Sequence, residues 1–298
     1  MKKSSTIITK AISIIPYFGK WPEYFNLYLY SCSKNPIIDF YFFTDCPVPQ
    51  RIYSNTHFIN TNFNEYCNKI SSKLNINFHP KQAYKLCDIR PFLGIIHDDL
   101  VSKYDFFGWS DIDLIYGDLS IMLSPYNLSH YNAFSTHADR LSGHFCLLKT
   151  NKYKSIGYKI KNWKEQLEKE QNVTLDELWL ARVIYPDQRY RRGIKKLLNI
   201  PQLNTILDMP RILQWLTKKY QTEQFTTSIP SNSTEYLYKN GKIIDYNTKK
   251  ELIYLHFMYY KGSSLYPTSF KWEQGFYKVS EEDLNKDIRI NNKGIEVY

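Results

Sequence analysis

The sequence predicts an α/β domain built on a mostly parallel sheet flanked by helices, with a small C-terminal β/α extension. Three observations carry this expectation. Apolar, β-rich runs at 7–15 and 37–44 bracket a helical stretch, the strand–helix–strand pattern of a parallel sheet. A third apolar run at 104–109 leads into the acidic segment Ser110-Asp-Ile-Asp113. The composition, 43% hydrophobic and 23% charged over 298 residues, belongs to a globular chain long enough to bury a full core.

In chain order, the Ile-rich run 7–15 reads as a buried strand ended by Pro16, Phe18 and Gly19. The N-terminus loosely resembles a secretion signal. Lys10 and Ser13 break its apolar run and no small-residue cleavage site follows, so the run is assigned to the sheet. Pro22 suits the first turn of a helix reaching about residue 33. The second strand, 37–44, ends at Asp45, ahead of Pro47 and Pro49, and a short third strand is expected at 57–60. A helix over 80–100 with a break at Pro91 precedes the strand 104–109. Further strands are expected at 133–136 and 144–148, and helices at 159–170 and 175–183. Weaker helical patterns follow at 194–198 and 212–220, then β-like runs at 236–237, 243–246 and 252–257.

The net charge of +10 comes mainly from Lys, Arg being 9 of 39 basic residues, which argues against a reader of nucleic acid. No stretch approaches the roughly 20 apolar residues of a membrane span. Five scattered cysteines without a C-x-x-C support neither a disulfide framework nor a zinc site, so a reducing cytoplasm is expected. The sequons at Asn127, Asn172 and Asn232 then carry no glycan. The 26 Tyr and 17 Phe suit stacking on sugar rings as well as filling a core.

Chemistry concentrates in Ser110-Asp-Ile-Asp-Leu-Ile-Tyr-Gly-Asp118. A D-x-D triplet alone is a weak signal, and a solvated turn is the plain alternative. Here a buried strand delivers Asp111 and Asp113 to the carboxyl edge of the sheet, where open α/β sheets bind ligands. Two apart on extended backbone, both carboxylates face the same way and suit Mg²⁺ or Mn²⁺ bridging a diphosphate.

This segment, with Lys85-Leu-Cys-Asp-Ile-Arg-Pro91 upstream, resembles GT-A glycosyltransferases of bacterial capsule and lipopolysaccharide synthesis over roughly residues 8–262. The resemblance implies metal-dependent transfer of a sugar from a nucleotide diphosphate sugar, UDP-linked, to a saccharide or lipid-linked acceptor, in the cytoplasm or at the inner membrane face. It implies one domain over 1–280, with 1–119 binding the nucleotide and 120–280 the acceptor, and a charged peripheral tail at 281–298. Asp111 would touch the donor and, with Asp113 and His256, the metal. Pro16, Tyr17 and Phe18 would hold the nucleoside. Asp45 is either a turn residue or an acceptor for the uracil edge. Lys85, Asp88 and Arg90 would grip the donor, or form a surface ion pair. Lys261 would contact the phosphates, although Gly is missing between His256 and Lys261 where glycosyltransferase family 8 has one. Gly143 and His144 would wall the sugar pocket, unless they form a plain turn.

Thr174-Leu-Asp-Glu177 has capping-box spacing. If transfer inverts, Asp176 or Glu177 is the candidate base for the acceptor hydroxyl. The cluster Arg189, Arg191, Arg192, Lys195 and Lys196 is either a solvated face or a contact with an anionic leaflet. Two other classes share these features: a metal-dependent phosphodiesterase or nuclease, and a non-catalytic carbohydrate-binding module.

Overall fold

The computed structural model describes residues 10–135, 141–184, 221–222, 235–256, 279–291 and 294–297. Strand β1 (Ala11–Pro16) is central and buried along nearly its whole length, as expected of a strand covered on both faces. Ile12 and Ile14 pack into one core cluster, Ala11 and Ile15 into another. Helix α1 (Phe25–Ser33) begins three residues after Pro22 and leads to β2 (Ile38–Thr44). β3 (Thr56–Asn60) follows.

Helix α2 (Phe63–Leu74) was not anticipated from the sequence. Its start is fixed by a capping box: the Asn62 side chain accepts from Glu65 N at 2.9 Å and Glu65 Oε2 accepts from Asn62 N at 3.1 Å. The helix expected over 80–100 is instead a 3₁₀ segment, Ala83–Phe92, followed by short turns Leu93–Ile96 and Asp98–Val101. Pro91 lies inside the 3₁₀ segment rather than ending a long helix.

β4 (Phe106–Ser110), β5 (Leu114–Tyr116), β6 (Ala133–Ser135) and β7 (Phe145–Lys149) come next. β4, β6 and β7, with β8 (Gln221–Thr222), complete a seven-stranded sheet of order β3-β2-β1-β4-β7-β6-β8, while β5 lies outside it. β1 runs parallel to β2 and β4, whereas β7 is antiparallel to both β4 and β6. The fold is therefore a mixed α/β sheet flanked by helices. At Gly108 an added Cβ would lie 1.8 Å from the Cys146 carbonyl oxygen, so β4 and β7 can approach this closely only with glycine there.

The helix expected at 159–170 shrinks to Trp163–Glu168, and the one from 175 opens with a π-helical turn, Leu175–Trp179. A second sheet contains β9 (Glu235–Lys239), β10 (Lys242–Asp245) and β11 (Glu251–Leu252). β12 (Tyr254–His256) leaves it to pair with β5. β13 (Ile288–Asn291) and β14 (Gly294–Val297) complete the second sheet, in the order β11-β10-β9-β13-β14. The segment 281–298, expected as a charged peripheral tail, thus supplies two strands. Ile288 and Ile290 point inward and are fully buried, and Arg289 between them and the charged residues before them mask that period in the sequence.

All five cysteines are free thiols. Among the described residues no helix is long and apolar enough to cross a membrane. The helical patterns at 194–198 and 212–220 lie outside the described residues.

Candidate metal centre and its cavity

Asp111 and Asp113 occupy the short connection between the carboxyl end of β4 and β5. The backbone there is anchored: Asp111 N donates to His144 O at 2.8 Å and Ser110 Oγ to Asp111 O at 2.7 Å. β5 pairs antiparallel with β12 in a register that sets His256 opposite Leu114, next to Asp113. His256 Nε2 consequently lies 3.6 Å from Asp113 Oδ1. One ligand atom from each of Asp111, Asp113 and His256 fits within 4.8 Å of the others.

His256 is 6% exposed, and neither ring nitrogen has a hydrogen-bond partner among the described residues. A buried imidazole left so is costly unless something else binds it. Two hard carboxylates and one imidazole fit a divalent ion such as Mn²⁺ or Mg²⁺. The ring is also held in place. His144 stacks on it at 4.2 Å with an interplanar angle of 24°, and His144 Nε2 is 2.7 Å from the Tyr254 hydroxyl.

A cavity of about 330 Å³ adjoins the centre, its walls including Tyr17, Phe18, Tyr84, Arg90, Asp111 and Asp113. Pro16 also lines it, so the three residues expected at the end of β1 do border this space. Asp45 is exposed and accepts from Gly19 N at 2.8 Å, tying the loop after β2 to the loop after β1. Trp21 reinforces this by donating to Pro47 O at 2.7 Å.

Lys85 and Asp88 serve neither of the purposes expected of them. Their charges lie 2.9 Å apart with side chains 1% and 0% exposed. Lys85 Nζ donates to the carbonyls of Gln166 and Gln171, and Asp88 accepts from Val173 N and Leu175 N. The four hydrogen bonds tie the 3₁₀ segment to the chain at 166–175 and, with the ion pair, leave no group to grip a donor, while burial rules out a surface pair. Arg90 does reach the cavity. Its Nη1 donates to Asp176 Oδ2 at 2.7 Å and to Gly143 O at 2.6 Å, and its Nη2 donates to Asp111 Oδ1.

The capping box expected at Thr174 does not form. Thr174 has φ +56°, and its hydroxyl donates to Val173 O instead of capping the turn. Glu177 Oε1 instead accepts from Gly143 N at 3.2 Å. An added Cβ at Gly143 would sit 2.4 Å from that same oxygen, so this glycine makes room for Glu177 rather than for a donor. Asp176 is 3% exposed and paired with Arg90, so the carboxylate offered as a base is withdrawn from any acceptor. Burial pushes its pKa up to about 6 against the opposing pull of Arg90.

Lys261, and the basic cluster from Arg189 to Lys196, lie outside the described residues. Tyr254, absent from the expected site residues, bonds to His144 through its hydroxyl. Its place two residues before His256 on one strand was the available signal.

Fold and site together define a mixed α/β protein with a carboxylate–imidazole cluster, able to hold a cation, at the carboxyl edge of its main sheet. A family described as "Family of unknown function (DUF6625)" matches residues 13–293, and the chain belongs to that family. No curated protein matches it.

Proposed function

We propose that this chain is a metal-dependent glycosyltransferase of the GT-A type, moving a sugar from a UDP-linked donor to a saccharide or lipid-linked acceptor in surface polysaccharide synthesis. The observation that carries the reading is the Asp111–Asp113–His256 cluster beside a cavity bordered by the end of β1. Carboxylates at a strand end, a late imidazole and an adjoining cavity at the sheet's carboxyl edge suit a nucleoside diphosphate.

On this reading the acceptor hydroxyl attacks the anomeric carbon, the bond from that carbon to the diphosphate oxygen breaks, and the hydroxyl proton leaves with the diphosphate, with positioning and electrostatics supplying most of the rate. A divalent ion held by Asp111, Asp113 and His256 supplies positive charge opposite the departing diphosphate when bound. Arg90, paired with both Asp111 and Asp176, holds Asp111 at the cavity wall. Pro16, Tyr17 and Phe18 border the nucleoside end, and Asp45 shapes their loop through Gly19. With Asp176 committed to Arg90 and Glu177 to Gly143, neither is placed as the base that an inverting transfer needs.

The test incubates the protein with a panel of UDP-sugars and Mn²⁺, with and without EDTA, and follows sugar release. Slow, EDTA-sensitive release of free sugar and UDP is expected. Release of UMP and sugar phosphate would instead mark a phosphodiesterase, and no cleavage of any donor would leave a carbohydrate-binding module.

A further inference from the structure

We propose that the turn Leu175–Trp179 is a positioning bracket that sets two of the three cation ligands without touching the cation. Asp176 fixes Asp111 through Arg90, and Glu177 fixes His256 through Gly143 and His144. The proposal rests on the cation-centre reading and extends it to residues that have no place in the ligand set.

The first arm is the ion-pair chain. Arg90 uses one terminal nitrogen for Asp176 and the other for Asp111, so the planar guanidinium transmits the position of a buried carboxylate to a cation ligand. Asp176 is a firm anchor because it is itself buried. A lysine ammonium is a point charge on a flexible stem and cannot hold both carboxylates in one plane.

The second arm runs through the backbone. Gly143 is gripped on both sides, its N–H donating to Glu177 and its carbonyl accepting from Arg90. That fixes the entry to His144, whose ring stacks on His256 and whose carbonyl accepts from Asp111 N. The two arms therefore converge on the same loop. The local geometry is unusual in the way such devices are: a π-helical turn entered through a left-handed Thr174. Neighbours that orient metal ligands commonly change affinity 10- to 100-fold when lost.

The experiment measures Mn²⁺ affinity of the full chain from the free-ion signal in electron paramagnetic resonance, with thermal melts alongside. Asp176→Asn, whose neutral amide loses the ion pair that anchors Arg90, and Arg90→Lys are expected to weaken Mn²⁺ binding about 10-fold or more. Glu177→Ala should weaken it too, and Glu177→Gln, whose amide oxygen still accepts from Gly143 N, should restore it. That rescue separates positioning from a general loss of stability. If Asp176→Asn fails to fold, the Glu177 pair decides, because Glu177 is only half-buried. Wild-type affinity in the folded Asp176→Asn and Glu177→Ala variants, or equal weakening by Ala and Gln at 177, would overturn the bracket alone. A wild-type protein that takes up no Mn²⁺ would overturn both the bracket and the cation centre.

Discussion

Lys85 and Asp88 form an ion pair of 2.9 Å sealed from solvent, and between them they accept or donate four further hydrogen bonds to the chain at 166–175. The pair fastens the 3₁₀ segment bearing Arg90 to the segment that carries the bracket turn. Removing one partner of a buried pair leaves the other charge uncompensated, at a cost of roughly 3–5 kcal/mol. Asp88→Ala should therefore lower stability by about that amount in urea unfolding, with Lys85→Ala close behind. Either variant melting like wild type would show that the pair carries no structural weight.

His97 is 1% exposed, with Tyr66 Oη 2.8 Å from Nε2 and Lys69 Nζ 3.2 Å from Nδ1. The ammonium of Lys69 can only donate, so Nδ1 accepts and Nε2 carries the hydrogen offered to Tyr66. Burial, aided by Lys69 and Lys73, holds the His97 pKa well below 6.5. An unfolded chain protonates this imidazole near pH 6.5 while the folded one resists, so the unfolded state binds more protons below that pH. The contribution of His97 is thus fully present above about pH 6.5 and is lost as pH falls, by at most ~1.4 kcal/mol per pH unit. Unfolding free energies measured from pH 7 to 5 should fall less steeply in His97→Gln than in wild type. Identical slopes would contradict this account.

The Asn62–Glu65 capping box holds the start of α2. Asn62→Ala should cost about 1 kcal/mol, seen as a lower melting temperature, and Asn62→Asp should retain most of the stability. No change in the alanine variant would mean that packing of Tyr66 and Ile70 alone fixes the helix start.

The parts of this architecture legible in the sequence are those written in local order. The apolar runs of β1 and β2 announce the parallel sheet, and two aspartates after β4 announce the carboxylate pair that meets His256. The capping box at Asn62 and Glu65 is just as local, but its signal lies in polar residues that carry no apolar period. Other features depend on distant partners. Lys85 and Asp88 have the spacing of an exposed helical pair, and only the chain at 166–175, folding over them, makes them core. Thr174 and Glu177 match a capping box, but Gly143 competes for Glu177 from a different part of the fold. His256 owes its place to the register of β12 on β5, which no local pattern encodes.

On the proposed function, Asp111, Asp113 and His256 hold a cation that in turn holds a nucleoside diphosphate. The most direct test of this is calorimetric titration of UDP, the part shared by every UDP-sugar donor, so the identity of the sugar does not enter. With Mn²⁺ present the wild-type protein should bind UDP, and binding should vanish in EDTA and in Asp113→Ala while the variant stays folded. UDP binding of equal strength in EDTA, undiminished binding by folded Asp113→Ala, or no binding by the wild type with Mn²⁺ would contradict the account.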